Sequence, residues 1–129
     1  MQIKKLASFT GVSAKTIRYY EDIGLLPKAK RGDNDYRYYD EEDVSLLKFI
    51  RRCKELRIPL ADIKRLVVVQ RSGNGPCKQV DAIIFQQLEK IRIAQYGLHQ
   101  LEQNLKTLAN CCKNERIKDC EILKHLRSN

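Results

Sequence analysis

IKKLASFTGVSAKTIRYYEDIG, residues 3–24, decides the fold of this chain. Ile3, Leu6 and Ala7 recur at helical spacing and give one short apolar face, which Gly11 ends. Ser13 suits the N-cap of a second helix running from about residue 14 to residue 23, and Gly24 closes it. Two short helices joined by a tight glycine-containing turn make a helix-turn-helix. On the second helix Lys15, Arg18 and Tyr19 share one face, because residues three and four apart are neighbours, and Thr16 borders them. Ile17 points the other way, toward Ile3 and Leu6. Such a Lys, Arg, Tyr and Thr face can reach base edges and phosphates.

Beyond Leu25-Leu26-Pro27, residues 28–39 read as two short strands around Gly32-Asp33-Asn34-Asp35, a basic β-hairpin placed as a wing. Alternation along the second strand sets Arg37 and Tyr39 opposite to Tyr36 and Tyr38. Asp40 is positioned to cap a third helix, with Glu41, Glu42 and Asp43 in its first turn and an apolar stripe of Val44, Leu47, Ile50 and Cys53. Cys53 on that stripe reads as a buried small apolar residue rather than a ligand. Pro59 opens a fourth helix whose Leu60, Ile63, Leu66 and Val67 face inward. Residues 71–76, Arg-Ser-Gly-Asn-Gly-Pro, form the clear break in the chain.

The charge balance agrees with a polyanionic partner. The formal net charge is +9, and residues 1–72 hold sixteen Lys and Arg against ten Asp and Glu, leaving nine against six in the remainder. Five of the six tyrosines lie between Tyr19 and Tyr39, interleaved with Lys15, Arg18, Lys28, Lys30, Arg31 and Arg37. Cations that displace counterions and phenols that bond phosphate oxygens suit duplex DNA. No apolar run has the length of a membrane span and no signal peptide precedes the first helix, so a cytoplasmic location is expected. No catalytic triad, phosphate-binding loop or paired-acid motif is evident, and an enzyme is not expected.

After the break a long helix carries a heptad pattern. Ile84, Ile91, Leu98 and Leu105 recur every seven residues, and Val80, Ala94, Leu101 and Leu108 fill most of the second seam position, Gln87 excepted. That stripe calls for a partner helix, and a homodimer is expected. In a cytoplasmic chain the five cysteines are more simply thiols or metal ligands than disulfides. The heptad continued backward from Ile84 reaches Cys77, and continued forward from Leu105 reaches Cys112. The 35-residue step between them spans roughly 52 Å of helix, too far for one chain to close. A parallel pair would set Cys77 beside Cys77, whereas an antiparallel pair would bring Cys77 of one subunit toward Cys112 of the other. A polar loop over residues 113–119 can return Cys120 beside Cys112, ahead of a short C-terminal helix. Cys77, Cys112 and Cys120 are therefore the expected metal ligands, with Cys111 a further sulfur next to the seam. Thiolates favour soft or borderline ions such as Cd(II), Pb(II), Hg(II), Zn(II) and Cu(I). His99 is expected on the outer face of the helix, and His125 near the loop is expected at the surface.

These residues resemble the MerR family of bacterial transcriptional regulators over nearly the whole chain. The resemblance rests on residues 16–21 (TIRYYE), 24–27 (GLLP), Arg31, 36–39 (YRYY) and 60–63 (LADI). The family pattern usually has Gly near Arg57 and Ser or Thr near Pro59, where this chain departs from it. The resemblance implies a mainly α fold with three parts. Residues 1–71 form a winged helix-turn-helix DNA-binding domain with connecting helices, residues 72–110 a linker and antiparallel coiled-coil dimerisation helix, and residues 111–129 a metal-binding loop and short helix. By correspondence, DNA contacts fall on Lys15, Thr16, Arg18, Tyr19 and Tyr20 of the helix and on Arg31, Tyr36 and Arg37 of the wing. It also implies promoter DNA and RNA polymerase as partners, with activation by distortion of an overlong promoter spacer. The sequences near Cys53, Cys77 and Cys120-Glu121-Ile122-Leu123 look most like cadmium and lead regulators, whereas the Cys111-Cys112 pair looks like the zinc-responsive branch. Cd(II) or Pb(II) is the expected effector, with Zn(II) or Hg(II) as the alternative. A thiol redox sensor and a metal-buffering protein remain as different readings of the same cysteines.

Overall fold

The computed structural model describes residues 1–75, 77–111, 117 and 120–128, with Cys111 described by its backbone. Helices α1 (Ile3–Thr10) and α2 (Ala14–Asp22) precede a two-stranded antiparallel hairpin, β1 (Lys30–Arg31) and β2 (Arg37–Tyr38). Then come α3 (Glu41–Glu55), α4 (Leu60–Ser72), the 34-residue α5 (Lys78–Cys111) and α6 (Glu121–Arg127). The mainly helical architecture is the one the sequence pattern predicts. No helix among the described residues is long and apolar enough to cross a membrane.

Local chemistry sets the element ends. Gly11 closes α1 at φ 72°, donating its N–H to the Ala7 carbonyl at 2.9 Å. A side chain there would also collide with the Arg51 guanidinium, whose Nη1 donates to the Thr10 carbonyl at 3.1 Å and ties α3 to the turn. The Ser13 side chain accepts the Thr16 N–H at 3.2 Å and so satisfies one of the unpaired donors that begin α2. Asp40 and Asp43 form a reciprocal capping box at α3, each carboxylate accepting the other residue's N–H at 3.2 and 3.0 Å. Three acids in that first turn, and Arg52 and Lys54 in the last, complement the helix dipole.

The chain divides into two compact units, residues 1–83 and 84–129. In the first, Leu6, Ile17, Leu47, Ile50 and Ile63 have no exposed surface, and Tyr39, Leu25, Leu26, Leu66, Val67 and Cys53 complete the core. Burial of each such Leu or Ile contributes roughly 1.5–3 kcal/mol before the entropy of ordering is counted. Cys53 is buried as expected, and burial pushes its thiol up from the ordinary range. The opening of α5 belongs to this unit too: Ile83 is buried in the core and Val80 packs against it. Val80 was expected on the seam of the long helix, but its side chain is engaged here.

Ile84 onward forms the second unit. Along α5 from Ile84 no described side chain is buried, and Leu98 and Leu105 are 67% and 65% exposed. The heptad stripe is therefore open in the single chain. Phe85, Ile93 and Tyr96 are exposed as well, at positions outside that stripe.

One helix end carries strain. Arg57 lies in the left-handed region at φ 63°, where its N–H donates to the Lys54 carbonyl at 2.9 Å and the next N–H, of Ile58, donates to Cys53 at 3.2 Å. These two bonds make a Schellman C-cap, which favours glycine at the position Arg57 occupies. Arg57→Gly is expected to stabilise the chain by roughly 1 kcal/mol, since a left-handed non-glycine residue costs about 1–2 kcal/mol. Urea unfolding should show a higher midpoint at unchanged slope; an unchanged or lower midpoint would show that the side chain's contacts outweigh the strain.

Candidate nucleic-acid interface and thiol positions

Helix α2 is fixed from behind and open in front. Ile17 is wholly buried, whereas Lys15, Arg18 and Tyr19 are exposed and Thr16 is half-buried. Thr16 Oγ1 accepts from the Ser13 hydroxyl at 2.9 Å, which orients it at the entry of the helix. Tyr20 differs from the other expected contacts. It is 3% exposed and belongs to the core, because it falls three residues after Ile17 on the inward side. Its ring lies 6.1 Å from that of Tyr19, and the Lys54 ammonium sits 6.0 Å from its centroid. Tyr20 thus sits in the core with its ring beside that of Tyr19.

The hairpin presents the second basic surface. Its register pairs Lys30 with Tyr38 and Arg31 with Arg37, so two guanidinium side chains stand on directly opposed residues. Like charges opposed across a strand pair are destabilising. An exposed Arg31–Asp35 ion pair at 3.0 Å offsets part of that repulsion. Tyr36 and Arg37 are exposed at the surface of the wing.

The base of the wing is tied down at several points. Lys30 Nζ reaches Asp40 Oδ2 at 2.5 Å. Hydrogen bonding from Lys30 and from the Asp43 N–H holds the Asp40 carboxyl below the ordinary range, while burial pushes Asp43 up. Tyr39 is 2% exposed, and its hydroxyl donates to Glu21 Oε1 of α2 at 2.7 Å. Burial, then the hydrogen bond to Glu21, pushes the phenol far above its usual range, so it remains a protonated donor. The Tyr39 backbone also exchanges two bonds with Met1, each 2.7 Å. Sequence reading passed over the Glu21–Tyr39 pair. Glu21 stands four residues after Ile17 on the same buried face, and a carboxylate there demands a donor.

The thiols are described one by one. Cys77 is exposed, and its carbonyl accepts the Asp81 N–H at 2.9 Å where α5 begins. Cys120 is half-buried at the N-cap of α6, with its carbonyl accepting from Lys124 at 3.2 Å. Cys112 lies outside the described residues, as does the side chain of Cys111. Among the described residues no three His, Cys, Asp or Glu side chains come together as a metal-holding group. His99 and His125 are exposed, as expected.

Comparison with known proteins places this arrangement. Residues 1–68 match the family described as "MerR HTH family regulatory protein", and residues 44–108 match "MerR, DNA binding". Heavy metal-dependent transcription regulator 2 of Rhizobium meliloti is 32% identical over 126 residues, covering 98% of this chain and 86% of that protein. The mercuric resistance operon regulatory protein of Bacillus cereus is 33% identical, covering 97% of this chain and 96% of its own. Among solved structures, the transcription regulator PbrR691 of Ralstonia metallidurans CH34 in complex with lead(II) superposes with a TM-score of 0.87 at 31% identity, covering 98% of each chain. With its winged helix-turn-helix, and with matches that together run from residue 1 to residue 108, the chain belongs to the MerR family, a family of transcription regulators and not of enzymes.

Proposed function

We propose that this chain is a metal-responsive activator that binds promoter DNA as a homodimer and takes Cd(II) or Pb(II) on cysteine thiolates. The observation that carries the DNA half is the exposed Lys15, Arg18 and Tyr19 face, set on a helix whose other side is locked by Ile17. Thr16 at the helix entry, and Arg31, Tyr36 and Arg37 on the wing, extend that surface. Tyr20 contributes from the core, through Tyr19.

The homodimer rests on the open stripe of α5. Heptad leucines exposed over several turns are covered most simply by the same stripe of a second copy. An antiparallel pairing sets Cys77 of one subunit toward Cys112 and Cys120 of the other, and Cys111 can add a sulfur. The donor chemistry fits a soft ion: Cys77 and Cys120 are accessible, whereas Cys53 is sealed in the core. A bound ion would cross-link the two subunits at the seam ends. Support for the metal class comes from the relatives, one described as heavy metal-dependent and one solved with lead(II). The mercuric relative, at 33% identity, and the Cys111-Cys112 pair favour Hg(II) or Zn(II) as the second reading. Activation then follows from untwisting of an overlong promoter spacer so that RNA polymerase engages both promoter elements.

Three outcomes are expected. Binding to a duplex selected from a randomised pool should weaken with salt, and Arg18→Ala should cost roughly 1–3 kcal/mol in operator affinity with metal affinity unchanged. Salt-independent binding would overturn the DNA reading. Leu101→Asp, a charge on the open seam, should give monomers by sedimentation; a retained dimer would mean that the contact lies elsewhere. Titration of the reduced protein with Pb(II) or Cd(II) should give thiolate-to-metal absorption at one ion per seam end, and Cys77→Ser should abolish most of it. Full absorption in that variant would sink the shared site, and titration with Zn(II) and Hg(II) ranks the alternatives.

A further inference from the structure

We infer that Glu21 and Tyr39 form a strut that sets the recognition helix against the wing, making both residues positioning residues for DNA binding although neither is exposed to DNA. The inference rests on the DNA-binding reading above and adds a dependence that the contacts alone do not contain.

Tyr39 is where the wing meets the rest of the unit. Its hydroxyl reaches Glu21 of α2, its backbone is paired with Met1, and Asp40, the next residue, caps α3 and holds Lys30 of the opposite strand. The base is therefore gripped from the N-terminal residue, α2 and α3, whereas the hairpin turn carries an exposed Arg31–Asp35 pair. Of these grips only the Tyr39–Glu21 bond runs directly from a wing side chain to the recognition helix. Glu21 lies one helical turn after Arg18, and Tyr39 lies two residues after Arg37. The Arg37 and Arg18 guanidiniums both act electrostatically on the Tyr39 phenol, so both cations lie near the strut. Glu21 also lines a groove together with Asp22, Lys28, Ala29, Arg31 and Arg37.

Two features make the bond directional rather than merely cohesive. Glu21 and Tyr39 are 8% and 2% exposed, so water does not replace the lost partner cheaply. The bond also joins a rigid helix to a hairpin of two residues per strand, whose own ladder is too short to hold an angle. Removal of the hydroxyl leaves a buried carboxylate that must turn outward into the groove, toward the wing cations. The wing then loses its setting relative to Arg18.

The test compares six chains, one of them a double variant, on one duplex selected from a randomised pool by the unaltered protein. Tyr39→Phe should keep native helicity and the dimer, yet lower affinity about tenfold and flatten the salt slope, because wing phosphate contacts are lost. Glu21→Gln retains a carbonyl acceptor for the phenol and should restore near-normal affinity, whereas Glu21→Ala should match Tyr39→Phe. Arg37→Ala should cost less in the Tyr39→Phe background than in the unaltered chain, since a displaced wing has little left to lose. Additive losses from Arg37→Ala and Tyr39→Phe, an unchanged salt slope, or equal affinities for Glu21→Gln and Glu21→Ala would each overturn the strut. If the unaltered chain selects no duplex, the DNA-binding reading falls and the strut with it.

Discussion

Ile17 has no exposed surface, and most of what this chain offers a partner depends on that burial. Helices of eight and nine residues cannot hold their own shape in water. Their order comes from the apolar positions they share with α3 and α4, where Leu47, Ile50 and Ile63 are as completely enclosed as Ile17 itself. Because those positions fix the rotation of α2 about its axis, Lys15, Arg18 and Tyr19 have one available direction. Mutation of the core would therefore reach DNA binding without touching a contact residue.

Much of this was legible in the residues. The glycines at 11 and 24, the Ser13 cap, the Asp40 cap and the Pro59 start are chemical punctuation, and the helices obey it. Period alone separated Ile17 from Arg18. What escaped reading were relations across the chain. Tyr20 looked like one more aromatic in a basic, tyrosine-rich run, and only its three-residue step from Ile17 marks it as core. Glu21 drew no structural reading, yet its four-residue step from Ile17 puts it beneath the surface, where Tyr39 supplies the donor. Val80 fitted the heptad, but the end of the DNA-binding core needed a side chain there and took it. A repeat in sequence tells which residues share a face and leaves open what that face covers.

The cysteines show the same division more sharply. Their spacing along one helix rules out closure within that helix, which is an argument about length alone. Which sulfurs meet depends on a second copy and on residues 112–119, most of which lie outside the described residues. Cys53 is the exception, since its place on the α3 stripe already assigned it to the core.

The opposition of Arg31 and Arg37 across the hairpin has a consequence for the energy landscape of the free protein. Most local preferences in the first unit agree with its fold; Arg57 carries backbone strain, and Arg31 with Arg37 adds an electrostatic conflict. The conflict is electrostatic and disappears when a polyanion lies along the wing. Arg31 and Arg37 thus tie the stability of the free wing to ionic strength, since dissolved salt screens their repulsion as well.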